Sequence, residues 1–395
     1  MMILSDLKLC LTFDLKQLIK SVTFVVLGDQ EIAAQFGKKG TATDMTIYDK
    51  KESGAIRTYT VPNGFPEKIQ PLLQTINLAE YVIFHVNKLD NFVGEQIIAL
   101  DMLKKTHGII SHGYEVDENT LNTMIKNTVL SNYTKVDLDK IKEETDKLDQ
   151  ISKEGNARVV IDHCFDVKGV GTVILGKVEQ GRIKQYDNLK LLPAGIYVMI
   201  KSIQMHDDPA EEAASPARVG LAVKGVTHDQ VNRGDVLCMP GSEQILSEIE
   251  LDFTKSPFYK GDMAQNQMCL LSVGLQIKPA KFSSISPLKL VLEKPLVCNK
   301  GDICVPTVFR APVLAAILRK TGARKTVGMQ QRRHLRYSKT RVPINSSSWE
   351  RHNQITMKPL RACPICPKCG SKKFEKLPGN EVRVKCQSCG KIITI

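Results

Sequence analysis

Residues 169–181 read GVGTVILGKVEQG, residues 218–226 read RVGLAVKGV, and residues 231–237 read VNRGDVL. Short β-branched runs alternate here with glycines, a pattern typical of strands joined by tight turns at spacings of roughly ten residues. Glycine allows the positive φ values that such turns need. The stretch from residue 157 to residue 241 therefore predicts a small closed β-barrel, called the first barrel below.

On the N-terminal side of the first barrel, residues 21–153 alternate predicted strands with predicted helices. Apolar runs at 22–27 and 81–86 indicate buried strands, and helical spacing of apolar residues begins at Gly94. This alternation predicts an α/β domain with a mainly parallel sheet. We expect the charged stretch from 137 to about 152 to be a helical linker into the barrel.

On the C-terminal side, alternating apolar residues at 249–253 and 288–292 predict a second barrel over residues 243–305. The composition then changes, because residues 306–362 contain 13 basic residues and one acidic residue. Like charges oppose a compact core, so we expect this segment to be largely unstructured and the second barrel to lack a closing strand. The segment is either a basic arm that binds RNA or an insertion without selected structure.

Five of the eleven cysteines lie in the last 33 residues. Cys366-x-x-Cys369 and Cys386-x-x-Cys389 are each followed by glycine, the pattern of two metal-binding knuckles. Four thiolates in this pattern predict a closed, structural Zn²⁺ site in a zinc ribbon at residues 363–395. Cys363 is a competing ligand, and a redox role for the two motifs is the alternative. We expect the six scattered cysteines elsewhere to be buried.

The whole composition limits the class of protein. The 395 residues are 42% hydrophobic and 25% charged, which is typical of folded globular domains. The sequence contains neither the apolar run of a membrane helix nor that of a signal peptide, and its cysteines are too sparse for a disulfide scaffold. We expect a cytoplasmic protein without a membrane partner.

The glycine and β-branched pattern of residues 157–241 closely resembles the second domain of elongation factor Tu-type translation GTPases. Residues 22–137 look like a shortened GTPase domain of that family, and residues 246–305 like two-thirds of its third barrel. The order is most similar to archaeal proteins akin to the selenocysteine-specific elongation factor. The resemblance, together with the charge and cysteine patterns, predicts six segments: an N-terminal extension (1–20), a GTPase-like α/β domain (21–153), the first barrel (154–242), a partial second barrel (243–305), the basic segment (306–362) and the zinc ribbon (363–395).

The family's phosphate loop needs a lysine and a hydroxyl, but this chain has Ala33-Ala34-Gln35 at that place. Asp29 and Glu31 add negative charge that would repel a triphosphate. A phosphate loop rebuilt from the lysines at 38 and 39 is the alternative.

The family's Asp-x-x-Gly-His segment corresponds to residues 61–65, which read VPNGF. The Mg²⁺ ligand and the water-orienting histidine are therefore replaced by Val61 and Phe65. We predict a GTPase scaffold that lacks catalytic residues and GTP hydrolysis, and GTP is not expected as a ligand.

Residues 87–90 read NKLD, which spells the family's guanine-reading motif. They follow the strand at 81–86, whereas the resemblance places the motif one strand later, at Ser111-His112-Gly113-Tyr114. Because position in the fold decides which residues contact a ligand, we interpret NKLD as a coincidence.

The resemblance implies a translation elongation factor-like protein whose partners are tRNA or the ribosome. In that family the aminoacylated end of tRNA lies between the GTPase domain and the next barrel. Two alternatives stay open: a GTP-binding translation factor with an atypical nucleotide site, and an RNA-binding or assembly protein that uses its zinc ribbon.

Overall fold

The computed structural model describes residues 19–52, 54–255, 261–308, 311–312, 314–320, 374–376, 383–386 and 392–394. The chain divides into two units, Met1–Val327 and Gly328–Ile395. The first unit contains an α/β domain followed by two all-β domains, which confirms the predicted fold class for that part of the chain.

The α/β domain is built on a seven-stranded sheet with the order β2-β3-β4-β1-β5-β6-β7. Its strands are β1 (Lys20–Gly28), β2 (Lys38–Ala42), β3 (Met45–Glu52), β4 (Ala55–Pro62), β5 (Tyr81–Val86), β6 (Gly108–His112) and β7 (Thr134–Lys135). Its helices are α1 (Ile69–Leu78), α2 (Asn91–Met102), α3 (Glu118–Ile125) and α4 (Ile141–Lys147). Pairing is parallel from β4 through β1, β5 and β6 to β7, and the apolar runs of β1 and β5 are buried, as parallel sheets require.

The helical linker predicted at 137–152 is helical over residues 138–147 but is not a linker. Only α4 is an α-helix there, and Ile141 packs fully buried in the core of the α/β domain. The residues directly after it form no regular element and are fixed to the domain, since the Tyr81 hydroxyl donates to the Asp149 carbonyl (2.9 Å). The prediction of helical structure is confirmed for residues 138–147, but the linker assignment was wrong, because Ile141 and Thr145, one helical turn apart, form a buried face within a charged sequence.

The first barrel closes as predicted. Its strands are β8 (Arg158–Val167), β9 (Gly171–Gln180), β10 (Arg182–Lys184), β11 (Asn188–Leu192), β12 (Ile196–Met205), β13 (Asp208–Ala210), β14 (Glu212–Ala214), β15 (Arg218–Lys224) and β16 (Val236–Cys238). Six strands form the ring β11-β16-β8-β9-β15-β12, which the β11–β12 pairing closes. Alternate residues fill the interior, including Val159, Ile161, Ile174 and Leu221.

The second barrel contains β17 (Ile245–Lys255), β18 (Met268–Val273), β19 (Gln276–Ile285), β20 (Leu288–Val297), β21 (Ile303–Val308), β22 (Ala311–Pro312) and β23 (Leu314–Lys320). The predicted absence of a closing strand was wrong, because β23 pairs with both β17 and β21 and extends the domain to Lys320. The prediction treated the positive charge as uniform over residues 306–362. In fact Arg310 is the only basic residue of this segment before Arg319. The part that completes the barrel is therefore locally apolar.

The three domains of the first unit share a buried apolar cluster. It joins Met45, Ile47 and Leu78 of the α/β domain to Val160 of the first barrel and Leu275 of the second. Burial of such a cluster holds the domains together through the hydrophobic effect.

Hydrogen bonds add to this contact, because Gln74 Nε2 donates to the Leu275 carbonyl (2.7 Å) and Asn77 Nδ2 to the Gly274 carbonyl (2.9 Å).

The cysteines at 238, 269, 298 and 304 are buried as predicted, and Cys164 is partly buried.

The second unit contains a three-stranded antiparallel sheet, β24 (Phe374–Lys376), β25 (Arg383–Cys386) and β26 (Ile392–Thr394). Cys386 ends β25, whereas Cys366, Cys369 and Cys389 lie outside the described residues, as does most of the basic segment 306–362. Among the helices that are described, none is long and apolar enough to cross a membrane.

Candidate functional site

The polar residues that the sequence singles out lie at the carboxyl edge of the α/β sheet, where β1, β5 and β6 end. Ligands of open α/β sheets bind at this edge. Two neighbouring clefts open there. One, of about 340 Å³, is lined by residues that include Gly28, Asp29, Asn87 and Gln96. The other, of about 1140 Å³, is lined by Gln35, Phe36, His85, Asn87, His112, Gly113, Tyr114, Glu115, Asp137, Leu138, Asp139 and Lys142.

The backbone N–H groups of the loop after β1 donate hydrogen bonds to acceptors within the protein. The Gly28 N–H donates to Gln96 Oε1 (2.7 Å), the Asp29 N–H to the His85 carbonyl (2.7 Å), and the Glu31 N–H to Asp29 Oδ1 (3.0 Å). A phosphate loop instead presents such N–H groups to the phosphate. A 3-10 helix at Gln30–Gln35 follows, so the long helix that starts at a phosphate loop is replaced by a short turn.

The backbone at Gly28 is fixed closely against β5. Its φ is +76°, and a Cβ built there would lie 2.0 Å from the His85 carbonyl oxygen. Only glycine meets both conditions. The glycine at this position therefore has a local packing reason in this chain.

Ala34 and Gln35, which replace the loop lysine and hydroxyl, carry no group for a triphosphate. Ala34 is exposed, Gln35 lines the larger cleft, and the preceding Ala33 is fully buried in the core. Lys38 and Lys39 lie on β2, where they pair with Asp49 and Tyr48, and neither lines either cleft. The structure therefore does not bring these lysines to the loop after β1.

The segment at 61–65 is a packed turn. Val61 is buried in the core, and the Phe65 ring meets Phe92 edge-on at 6.2 Å between centroids. Asn63 Nδ2 donates to the Thr43 carbonyl (2.7 Å), which ties the turn to the β2–β3 loop. Its side chains stabilise the domain and present no carboxylate or imidazole at the sheet edge.

The NKLD residues follow β5, as the sequence predicts, and β5 lies beside β1. Asn87 Nδ2 donates to Asp29 Oδ2 (2.7 Å), and Asp90 Oδ1 accepts from the N–H groups of Phe92 and Val93 (both 2.9 Å). Asp90 is thus the N-cap of α2. These contacts account for the motif as local structure.

The segment after β6 supplies a buried pair. Ser111 Oγ and His85 Nδ1 are 2.6 Å apart beneath the larger cleft, and burial lowers the pKa of His85. His112 and Tyr114 are exposed at its mouth. Because carboxylates outnumber lysines in this lining, the cleft repels anions.

Sequence reasoning missed Gln96 and the His85–Ser111 pair. Gln96 lies three residues after Val93 and four before Leu100, on the buried face of α2. A polar side chain on a buried helix face needs a hydrogen-bond partner, and this requirement could have identified Gln96 from the sequence.

Metal ligation is a separate question. In the portion of the chain that the structure describes, no group of three or more histidine, cysteine or acidic side chains is placed to hold a metal ion. The predicted zinc ligands fall almost wholly outside that portion. The four-cysteine donor set with its CxxC spacing fits Zn²⁺ by its chemistry, and it stays a prediction.

The comparisons with known proteins agree with this architecture. Residues 171–238 match the family described as elongation factor Tu domain 2. Uncharacterized protein MJ0325 of Methanocaldococcus jannaschii is 33% identical over 290 residues, which cover 72% of this chain and 94% of that protein. The selenocysteine-specific elongation factor of the same organism is 28% identical over 250 residues, or 59% of this chain. This chain spans 50% of that factor's length.

Among solved structures, translation elongation factor SelB of Methanococcus maripaludis, in complex with the GTP analogue GppNHp, has the same fold with a TM-score of 0.66 at 20% identity. The match covers 76% of this chain and 80% of that chain. A GTPase-type α/β domain followed by two barrels defines a protein of the translation-factor class. The chain belongs to the family of MJ0325, among the elongation factor-like proteins related to elongation factor Tu and the selenocysteine-specific elongation factor.

Proposed function

We propose that this protein is a translation elongation factor-like protein that binds RNA, either tRNA or the ribosome, and does not hydrolyse GTP. The absence of GTP hydrolysis is supported mainly by the loop after β1, where the N–H groups of Gly28, Asp29 and Glu31 already donate to acceptors within the protein. A bound triphosphate would have to break these hydrogen bonds, each of which contributes about 1 kcal/mol.

Charge adds to that cost. The Asp29 carboxylate lies in the loop itself, held by Asn87, and would face the phosphates without a loop lysine to offset it. Neither Val61 nor Phe65 offers a ligand for Mg²⁺ or an orienting group for water. We therefore infer that the α/β domain acts as a structural partner of the barrels and that this chain has no GTPase activity.

The support for RNA binding comes from the outer face of the first barrel. We define the barrel stripe as Lys190, Tyr197, Met199 and Lys224, which lie on β11, β12 and β15. Lys190 is paired across the strands with Tyr197, and Met199 with Lys224. The Lys190 ammonium lies 5.5 Å from the centre of the Tyr197 ring, which is 62% exposed. An exposed aromatic ring beside a cation suits stacking on a base next to a phosphate.

An RNA-binding titration with the full chain tests this proposal. Tyr197→Ala should weaken binding of tRNA or ribosomal RNA by about tenfold, since base stacking contributes roughly 1–3 kcal/mol. Tyr114→Ala, which removes a still more exposed tyrosine from the α/β domain, is the matched control. Equal affinities of the two variants would contradict the assignment of the stripe.

Further measurements distinguish the proposed function from the two alternatives. Mg²⁺-dependent binding of GTP would favour a translation factor with an atypical nucleotide site. RNA binding that disappears when the chain is ended after Lys320, while Tyr197→Ala has no effect, would favour an RNA-binding or assembly protein that uses the C-terminal region. The cut lies after Lys320 because β23 ends there.

A further inference from the structure

A second exposed tyrosine lies beside the barrel stripe. Tyr186, in the turn between β10 and β11, is 66% exposed. Its N–H donates to the Ile200 carbonyl (2.8 Å), and Gln185 Nε2 donates both to the Tyr186 hydroxyl (3.2 Å) and to the Lys201 carbonyl (2.7 Å). Tyr186 is therefore held against β12 near Lys201, and most of its surface is open to solvent. We define the extended stripe as the barrel stripe together with Tyr186 and Lys201.

The extended stripe contains three lysines. Lys190 and Lys224 belong to the barrel stripe, and Lys201 lies on β12 between them and Tyr186. The Lys201 ammonium donates to the Val170 carbonyl (2.9 Å), and none of the three lysines forms an ion pair within the part of the chain that the structure describes. The Asp187 carboxylate, beside Tyr186, accepts from a backbone N–H of its own turn (2.7 Å). The positive charge of this face is thus not offset by a bound carboxylate.

The geometry of β12 sets the distance between the two tyrosines. Tyr197 lies on this strand, and Tyr186 is hydrogen-bonded to it at Ile200. Three to four residues of an extended strand span roughly 10 to 13 Å, so the two tyrosines contact different parts of a ligand. Tyrosines and lysines alternate along this face, as bases and phosphates alternate along a nucleic acid strand.

This spacing bears on the class of RNA. A ring can stack on a base only where that base has a free face. Inside a duplex, both faces of each base are covered by the neighbouring base pairs, so two separate rings would not both find a free face along its side. Unpaired nucleotides of a loop, a bulge or an end can turn their bases onto aromatic side chains.

The extended stripe is separate from the contact between the first barrel and the α/β domain. That contact uses Arg233, which donates to Asp44 Oδ2 (2.9 Å), and Lys177, which donates to the Leu78 carbonyl. Within the described ranges, no residue of the extended stripe has a hydrogen bond or an ion pair with the α/β domain. An RNA strand on this face would therefore leave the contact between the two domains intact.

We propose that the extended stripe binds single-stranded RNA, with one base stacked on Tyr197, a second base stacked on Tyr186 and the phosphates beside the lysines. This inference rests on the RNA binding proposed above and names the class of RNA that the site takes. Every base has a face that can stack on a tyrosine ring, so the affinity should depend little on sequence.

Fluorescence anisotropy of the full chain tests the inference, with a short labelled oligouridine and with a blunt-ended RNA duplex of the same length at one salt concentration. Wild type should bind the single strand about tenfold more tightly than the duplex. Tyr186→Ala and Tyr197→Ala should each weaken binding of the single strand by about tenfold and leave the affinity for the duplex unchanged. Tyr114→Ala should change neither affinity.

Further variants separate stacking from backbone strain and from charge. Tyr186 has a φ of +72°, a conformation that asparagine tolerates, so Tyr186→Asn should lose the same affinity as Tyr186→Ala without added strain. Tyr186→Phe retains the ring and should retain the affinity. Lys201→Gln should reduce the salt slope of binding by about 0.7, whereas Lys126→Gln, at an exposed position of the α/β domain, should leave the slope unchanged.

Two kinds of failure are distinguishable. Equal affinities for the single strand and the duplex, or an unchanged single-strand affinity in both Tyr186→Ala and Tyr186→Asn, would overturn the inference and leave the proposed RNA binding in place. Absence of binding to either RNA by the wild-type chain would overturn the proposed RNA binding as well.

Discussion

Single residues decide what the sheet edge can bind. Gly28, Gln96 and Asp29 close the loop after β1 with hydrogen bonds of 2.7 to 3.0 Å, and Asp90 caps α2. Each of these residues has a partner within the domain. The loop is therefore stabilised without a ligand, and its residues should affect folding more than binding.

Gly28→Ala should destabilise the protein by about 2–4 kcal/mol, since the new Cβ would meet the His85 carbonyl at a positive φ. Urea unfolding measures the change. Gly94→Ala is the matched control, because Gly94 lies in α2 with no atom within 4 Å of a built Cβ. That variant should be neutral or more stable by up to about 1 kcal/mol. Equal effects of the two substitutions would contradict the packing described for Gly28.

His85 should make the stability depend on pH. Burial lowers its pKa below the ordinary 6.5, so the unfolded chain binds a proton that the folded chain does not. The free energy of unfolding should consequently fall as pH is lowered through 6.5 and stop falling at the folded-state pKa. His85→Gln should remove this part of the slope in urea titrations, whereas His112→Gln, at an exposed position, should retain it. A slope unchanged in His85→Gln would argue against a buried neutral imidazole.

At the scale of elements, the second barrel depends on β23. This strand covers the edges of both β17 and β21, which would otherwise expose unpaired backbone groups.

A chain ended after Lys320 should keep slow amide exchange in β17. A chain ended after Val308 should lose that protection and aggregate on heating. Hydrogen exchange read by mass spectrometry distinguishes the two. Equal protection of β17 in both would mean that the barrel does not need its closing strand.

The C-terminal sheet should carry one Zn²⁺ per chain. Cys386→Ala should lose the metal, because a closed tetrahedral site needs all four thiolates. Cys363→Ala should keep it and serves as the matched control. Metal analysis of protein purified without added zinc measures both, and the melting of the first unit should stay unchanged. Full zinc in Cys386→Ala would refute the ligand assignment.

The sequence predicts the elements with local signals well and the long-range contacts poorly. Glycine spacing and β-branched runs are local signals, so the first barrel and strands β1 and β5 could be recognised. The contact of Gly28 with Gln96 joins residues 68 apart, and that of His85 with Ser111 joins residues 26 apart, so spacing alone could not find them. Strand β23 was missed because the charge beyond Arg319 hid an apolar run.

At the scale of the whole molecule, the apolar cluster of Met45, Ile47, Leu78, Val160 and Leu275 holds the α/β domain against both barrels. Arg158 adds a buried ionic contact to Glu243 (2.9 Å) and to Asp302 (3.3 Å). These contacts lie away from the carboxyl edge of the sheet. The arrangement of the three domains is thus stabilised by burial.

Equilibrium titration of the full chain with fluorescent GTP and GDP, with and without Mg²⁺, tests the central claim most directly. We predict no saturable binding of either nucleotide and no release of phosphate from GTP, because the loop N–H groups are occupied and Asp29 repels the phosphates. Saturable, Mg²⁺-dependent binding of GTP by the purified wild-type chain would contradict the account.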